Sequence, residues 1–497
     1  MEFPILISSL LFGIWVILSE WKRVGNLLLL SFGASLLFLI SYRFLSTFSM
    51  TATFYAIMLD LFQIGIIGLL LRIGKGNPFA QAGILALTIY LLQTTFYPPS
   101  EPEFPIAEQG ELIVHIDATA DQAKLKKVVD FYKLNSTEAF SPMDAAFTEL
   151  DDYLLLDIPS RHTDKIEGII SDIKSCASVL DVEYNETVTL EFRHSVPVQG
   201  RKLKEVDDAL TSQQWSLQAL NMEAYYAYFK QHNLKPKRSA KLFILDTGVK
   251  SDHEDLKGVY VTGKKSNDKD SRGHGTHCAG IAAGHTDNGR GIASMSPAQG
   301  WVDVYSIKVI NDFGFGTQAQ IIRGIIEAVD SGADVISMSL GGRSNDDKES
   351  AYQKAIDYAT DHNAIVVAAA GNSAMDATLF SPAGLNNVIA VAAIDNTLGK
   401  ASFSNYVQDI ELAISAPGTE IMSTYKDGKY KALSGTSMAA PHVSGLIAVL
   451  RSIEPSLTVQ DAYTIIHNTG TVSKSGNISG KIINPLMAVK SIVEQES

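Results

Sequence analysis

Four long uncharged runs crowd the first 97 residues of this 497-residue chain, and they set it apart from a sequence that folds around a single soluble core. Residues 3–19 hold 17 consecutive uncharged side chains, and residues 24–42 another 19. Residues 51–71 form a third run broken only by Asp60, and residues 79–97 a fourth, entered through Asn77 and Pro78. Each has the length a helix needs to cross a bilayer core of about 30 Å. The expectation is a four-helix transmembrane domain over residues 1–97. A cleavable leader is the rival for the first run, but Glu2 stands where a basic start belongs and no small-x-small signature closes the segment. Lys22 and Arg23 follow the first span, and Arg72 and Lys75 the third, so the positive-inside rule puts both termini outside the cytoplasm, with Arg43 counting against it. Asp60 has no ionisable neighbour at similar depth, and reads as a protonated or hydrogen-bonded residue gluing the bundle rather than as a ligand or proton site.

The remaining 400 residues carry 36 basic and 51 acidic side chains, which argues against a nucleic-acid partner. The chain is 46% apolar and has two cysteines, so it folds around real cores without a disulfide scaffold. A Pro-rich linker over 98–109 leads into a segment, 110–188, with the pattern β-α-β-β-α-β. Strands are expected at 112–116, 136–140, 153–158 and 179–184, and helices at 120–134 and 164–175. Nothing in it groups an acid, a base and a nucleophile. Residues 189–212 contain Arg193, Arg201, Lys202, Lys204, Glu205, Asp207 and Asp208 with few apolar anchors, and read as an exposed linker.

Chemistry concentrates in residues 213–497. The run KLFILD ends on Asp246, as a buried parallel strand does when it delivers a functional acid at its carboxyl end. His274 lies between glycines before a helix-like run; with His277 it has the spacing of a metal pair, but no further ligands complete a tetrahedral site. Asn372 closes the run VVAAAGN, and Ser437 follows Gly435 at the entry of a small-residue helix, where unpaired N–H groups and the helix dipole favour a developing oxyanion.

The order Asp246, His274, Ser437 is one of the known orders of the Ser-His-Asp constellation. The surrounding words resemble the subtilisin-like serine protease family: LDTGV, GHGTHCAG, SMSLGG, AAAGN, SPA, SFSNY, APG and GTSMAAPHVSG, in order over about residues 213–470. The cysteine in GTHCAG is similar to the proteinase K-like branch. The resemblance implies an α/β fold, a subtilisin-like three-layer parallel-sheet catalytic domain, preceded by a ferredoxin-like α+β propeptide domain and the four-helix transmembrane domain. It implies Asp246, His274 and Ser437 as the triad and Asn372 as the oxyanion donor. Substrate would lie between Ser339, Leu340 and Gly341 on one side and Gly314 and Gly316 on the other, with Phe380 at the floor of the first specificity pocket.

No cofactor is required for this chemistry. The resemblance allows structural calcium at Asp255, beside a loop over 285–291 shorter than the family's, and at Asn386, Val388 and Glu411; the alternative is that these acids are surface charges. Cys176 and Cys278 are expected as free thiols. The implied partners are protein or peptide substrates, the chain's own propeptide as inhibitor, and the lipid bilayer. The expected function is a membrane-anchored, extracytoplasmic serine endopeptidase that processes itself at the propeptide junction and is released. The alternative is a membrane sensor whose protease domain acts mainly on itself or one partner.

Overall fold

The computed structural model describes residues 111–494, apart from 146–147, 160–161, 163–164, 191 and 345–349. The expected transmembrane domain, with Asp60, and the Pro-rich linker lie outside the described residues. Among the described residues, no helix is long and apolar enough to cross a membrane.

The first described unit runs β1 (Leu112–Ile116), α1 (Ala123–Tyr132), β2 (Asn135–Glu138), β3 (Tyr153–Asp157), α2 (Ile166–Lys174) and β4 (Val179–Tyr184). All six elements expected from the sequence appear in order, with ends shifted by up to three residues. The antiparallel sheet has the order β2-β3-β1-β4. Side-chain alternation along β1 builds two interfaces from one strand. Leu112 and Val114 pack with Leu125, Ile169 and Ile173 under the two helices. Ile113 faces the other way and joins a core with Ile321, Tyr352 and Ile356 of the next unit.

The chain continues through β5 (Thr187–Thr189), β6 (Arg193–Ser195), α3 (Trp215–Ala219), α4 (Met222–Gln231), β7 (Ala240–Asp246), α5 (His274–Ala283), β8 (Val302–Lys308), β9 (Phe315–Thr317) and α6 (Gln318–Asp330). Then follow β10 (Val335–Met338), β11 (Gly342–Arg343), α7 (Ser350–Asp361), β12 (Ile365–Ala369), β13 (Phe380–Ser381), β14 (Val388–Ile394), β15 (Ala413–Pro417), β16 (Ile421–Tyr425) and β17 (Lys429–Ser434). The last elements are α8 (Thr436–Ile453), α9 (Val459–Thr469), β18 (Thr471–Val472), β19 (Lys481–Ile482) and α10 (Pro485–Val493).

Strands β8, β7, β10, β12, β14, β15 and β19 form the central parallel sheet, and β18 pairs antiparallel at its edge. Alternate residues of β7 enter different cores, Leu242 and Ile244 on one face and Phe243 and Leu245 on the other. This two-sided burial explains why its sequence is continuously apolar, each such side chain contributing about 1.5–3 kcal/mol. From β7 the chain goes out to β8 through α5, then returns through α6 to β10 on the other side of β7. The reversal opens a crevice at the carboxyl ends of β7 and β10, where a sheet of this kind places its ligands.

The expected exposed linker over 189–212 is corrected. β5 pairs antiparallel with β9, β6 pairs antiparallel with β17, and Leu203, Val206 and Thr211 are buried. Backbone pairing with distant strands holds a charged segment that its own side chains would leave in water.

Every residue of α8 is buried, as a helix without a polar face must be. It crosses α5 at Gly445, where an added Cβ would lie 2.4 Å from Ala282 O and 2.8 Å from Ala282 Cα. Gly445→Ala improves helix propensity by about 1 kcal/mol yet drives one backbone into another. The substitution is expected to lower Tm by ~2–6 °C in a thermal scan. Burial also holds two imidazoles neutral, lowering His277 to about 3 and His442 to about 4. The unfolded chain takes up these protons near pH 6.5, so the stability they contribute is complete above that pH and is lost as pH falls toward 4 and 3. Scans between pH 7.5 and 5 should show falling Tm, with a shallower slope in His442→Gln.

Candidate active site

Asp246 ends β7, and its two carboxylate oxygens each lie 2.8 Å from His274 Nδ1. Both side chains are fully buried. His274 starts α5, whose first turn is tied back to the strand. Gly275 N donates to Thr247 Oγ1 at 3.0 Å, and Thr247 Oγ1 donates to Asp270 at 2.8 Å. The buried Asp270 carboxylate also accepts from the amides of Arg272, Gly273 and Thr276 and from Thr276 Oγ1. Burial still raises its pKa. Sequence reasoning missed Asp270, although an acid four residues before His274, at the start of a helix, is a legible capping signal.

Ser437 is the second residue of α8. Pro441 stands four residues later and has no N–H to give to the Ser437 carbonyl. That carbonyl instead accepts from Ser339 Oγ at 2.8 Å and from the Cys278 thiol at 3.4 Å. Burial pushes the Cys278 thiol well above its usual range, so it is a structural donor rather than a nucleophile. Cys176 and Cys278 are both free and buried, as expected.

The hydroxyl of Ser437 donates to Ser339 O at 3.0 Å. Among the described residues, His274 Nε2 is buried without a hydrogen-bond partner. The expected serine–imidazole bond is therefore not made in this conformation. The Phe192 ring lies over the imidazole, with centroids 4.8 Å apart.

Asn372 follows Gly371, whose φ of +102° places it in the left-handed region at the end of β12. An added Cβ at Gly371 would meet Asn405 Nδ2 at 2.4 Å. Asn372 Oδ1 accepts from Thr436 N at 2.8 Å and Thr436 Oγ1 at 3.1 Å. These bonds assign the other end of the amide, Nδ2, as the donor beside the start of α8.

The expected substrate residues flank this centre. Ser339, Leu340 and Gly341 join β10 to β11, and Phe380 is buried in β13, paired with Arg343. Gly314 and Gly316, before and within β9, are engaged by this chain's own residues 187–190. Val188 pairs with Gly316, and Leu190 N donates to Gly314 O at 3.4 Å. Beyond the centre, Arg193, His194 and Ser195 pair with Ser434, Leu433 and Ala432. The sequence reading left Phe192 and Phe403 unremarked; Arg193 lies 5.6 Å from the Phe403 ring centroid.

His277 is no metal ligand, because Nε2 reaches Ile421 O at 3.0 Å and Lys431 O at 2.9 Å and so pins the β16–β17 hairpin to α5. Asp255 is buried and accepts from Asn288 Nδ2 on the loop over 285–291 and from Ile292 N just after it. Asp208 lies on the same loop, accepting from the amides of Asp287 and Asn288, and burial raises it to about 6, with the Asp255 carboxylate adding to the rise. Both buried carboxylates accept from N–H donors of residues 287–292. The other expected calcium residues are less concentrated: Asn386 is bonded through its backbone to the Gln353 side chain, Val388 opens β14, and Glu411 is exposed.

The subtilase family model matches residues 237–482. The chain is 42% identical over 250 residues to thermitase of Thermoactinomyces vulgaris, covering 48% of this chain and 86% of that protein. It is 41% identical over 240 residues to subtilisin DY of Bacillus licheniformis, covering 47% and 84%. The structure of fervidolysin from Fervidobacterium pennivorans aligns over 77% of this chain and 61% of that one, with a TM-score of 0.61 and 22% identity, a likeness of fold. With a parallel-sheet core that brings an aspartate, a histidine and a serine to one crevice, this chain belongs to the subtilase family and carries a subtilisin-like serine endopeptidase domain.

Proposed function

We propose that the chain is a membrane-anchored precursor that hydrolyses peptide bonds outside the cytoplasm, through Asp246, His274 and Ser437, and cuts itself between the β-α-β-β-α-β unit and the protease domain. One observation carries the reading: the chain's own residues 187–189 pair with β9 and residues 193–195 with β17, and Phe192 between them lies against the His274 ring. Main-chain pairing of an extended segment with exposed strand edges is how a groove of this kind holds a peptide.

In this mechanism Ser437 turns its hydroxyl from Ser339 O to His274 Nε2, which takes the proton as Oγ attacks the carbonyl carbon. Asp246 holds the Nδ1–H tautomer and stabilises the imidazolium. Asn372 Nδ2 and the Ser437 amide receive the oxyanion. The proton then passes to the departing amine, and water releases the acyl group. Leu190 is hydrogen-bonded on one side of the centre and Phe192 covers the imidazole on the other, which supports Glu191–Phe192 as the bond that is cut.

The role of residues 110–188 as propeptide and inhibitor rests on its contacts. Glu183 accepts from Ala351 N at the start of α7 and from Gln318 Nε2 at the start of α6, while Asn185 Oδ1 accepts from Ala319 N. At the start of α7 the carboxylate takes a backbone amide and faces the positive end of that helix dipole, and at the start of α6 it holds the Gln318 side chain. Membrane anchoring rests on the four uncharged runs before residue 98, and the cut would free the protease domain from them. Structural calcium at Asp255 belongs to the same proposal, where it would neutralise a buried acid and brace the loop over 285–291.

Ser437→Ala in the full chain is expected to leave the chain uncut, whereas wild type yields a C-terminal fragment of roughly 30 kDa, about 300 residues, read by a C-terminal tag. Asn372→Leu is expected to lower kcat about 10²–10³-fold on casein-derived peptides with little change in KM. Cutting of the Ser437→Ala chain would refute self-processing. Calcium removal with EDTA at pH 8 is expected to lower Tm, calcium to restore it, and Asp255→Asn to abolish the difference.

A further inference from the structure

On the leaving-group side of the proposed cut, the chain is held as firmly as on the other. Phe192 lies over the catalytic imidazole, Arg193 lies over Phe403, and Arg193, His194 and Ser195 continue the antiparallel ladder of β17. A few residues later the same chain is anchored again. Gly200 N donates to Ser212 O at 2.7 Å, Gln218 Nε2 to Arg201 O at 3.0 Å, and Lys204 N to the Glu223 carboxylate at 3.0 Å. Leu203 and Val206 are buried in the main core.

We infer that the open edge of β17, with Phe403 and His274, is a docking surface for this chain's own residues 192–195, and that this strap stays in place after the first cut. The inference rests on the self-processing reading, but says something that reading does not: hydrolysis after residue 191 leaves the protease closed. The new amino group belongs to Phe192, whose ring is already against the base, and the segment is tethered through residues 196–199 to the anchors that follow. A tether of this length gives millimolar effective concentration, so the strap competes with any diffusing substrate for the same edge. The held amine is also placed to attack the acyl-enzyme ahead of water, reforming the Glu191–Phe192 bond and releasing Ser437 Oγ with its proton returned through His274.

Opening then needs a second hydrolysis, within residues 196–202, by another copy of the enzyme. Val196 there is 78% exposed, and Gln199, Arg201 and Lys202 are exposed. Water is the co-reactant, and the strap, no longer tethered, diffuses away as a short peptide.

The test is a time course of the full chain, with the N-terminus of each C-terminal fragment identified by mass spectrometry. Each fragment is assayed on a fluorogenic peptide with residues on both sides of its scissile bond. The species beginning at Phe192 is expected to appear first and to turn over the peptide at least ten-fold more slowly than the species beginning after residue 196. Arg193→Ala, which removes the contact with Phe403, is expected to raise the activity of the Phe192-initiated species several-fold, toward that of the trimmed species, which lacks residue 193. Equal activity of the two wild-type species, or no effect of Arg193→Ala on the first, overturns the strap while leaving self-processing intact. Fragments from Ser437→Ala would instead sink the reading beneath it.

Discussion

The close crossing of α5 and α8 is the constraint from which the rest of the centre follows. One helix begins with His274 and the other with Ser437, and they meet where Gly445 leaves no side chain against Ala282. Because both helices are buried along their whole length, neither can slide without disturbing the central sheet. The separation of His274 and Ser437 is thus set by backbone packing deep in the molecule. The β16–β17 hairpin, pinned through His277 to the same helix, belongs to this rigid frame, so the edge that receives a peptide is fixed relative to the imidazole.

The polar groups around the centre are arranged so that each backbone irregularity is used. Pro441 deprives the Ser437 carbonyl of its helical donor, and Ser339 and Cys278 fill the gap from two other elements. Asp270 gathers five donors and ties Thr247, beside Asp246, to the turn that carries His274. Such buried networks are worth having only when every member is satisfied. Among the described residues His274 Nε2 and His277 Nδ1 are left without a partner, and the imidazole of the first lies against the Phe192 ring.

The β-α-β-β-α-β unit and the protease domain share more than a covalent junction. One face of the small sheet forms a common core with α6 and α7, and Glu183 and Asn185 reach the ends of those helices. Burial and capping position the unit, and its tail then enters the groove already aligned.

Much of this was legible in the sequence because it depends on local order. The apolar runs ending on Asp246 and Asn372 announced buried parallel strands, Ser437 after Gly435 announced a helix start, and the short run over 112–116 announced a strand. Asp270 could have been read as a cap. Other features had no local signature. The stretch from 189 to 212 looked like a solvated linker because its stability comes from strands more than a hundred residues away, and the rotation of the Ser437 hydroxyl toward Ser339 follows from which groups surround it. Composition and periodicity determined the elements and the residue types at their ends. Tertiary structure alone decided which ends meet and that the chain threads its own groove, because backbone pairing and helix crossing act on neighbours in space and leave no pattern along the chain.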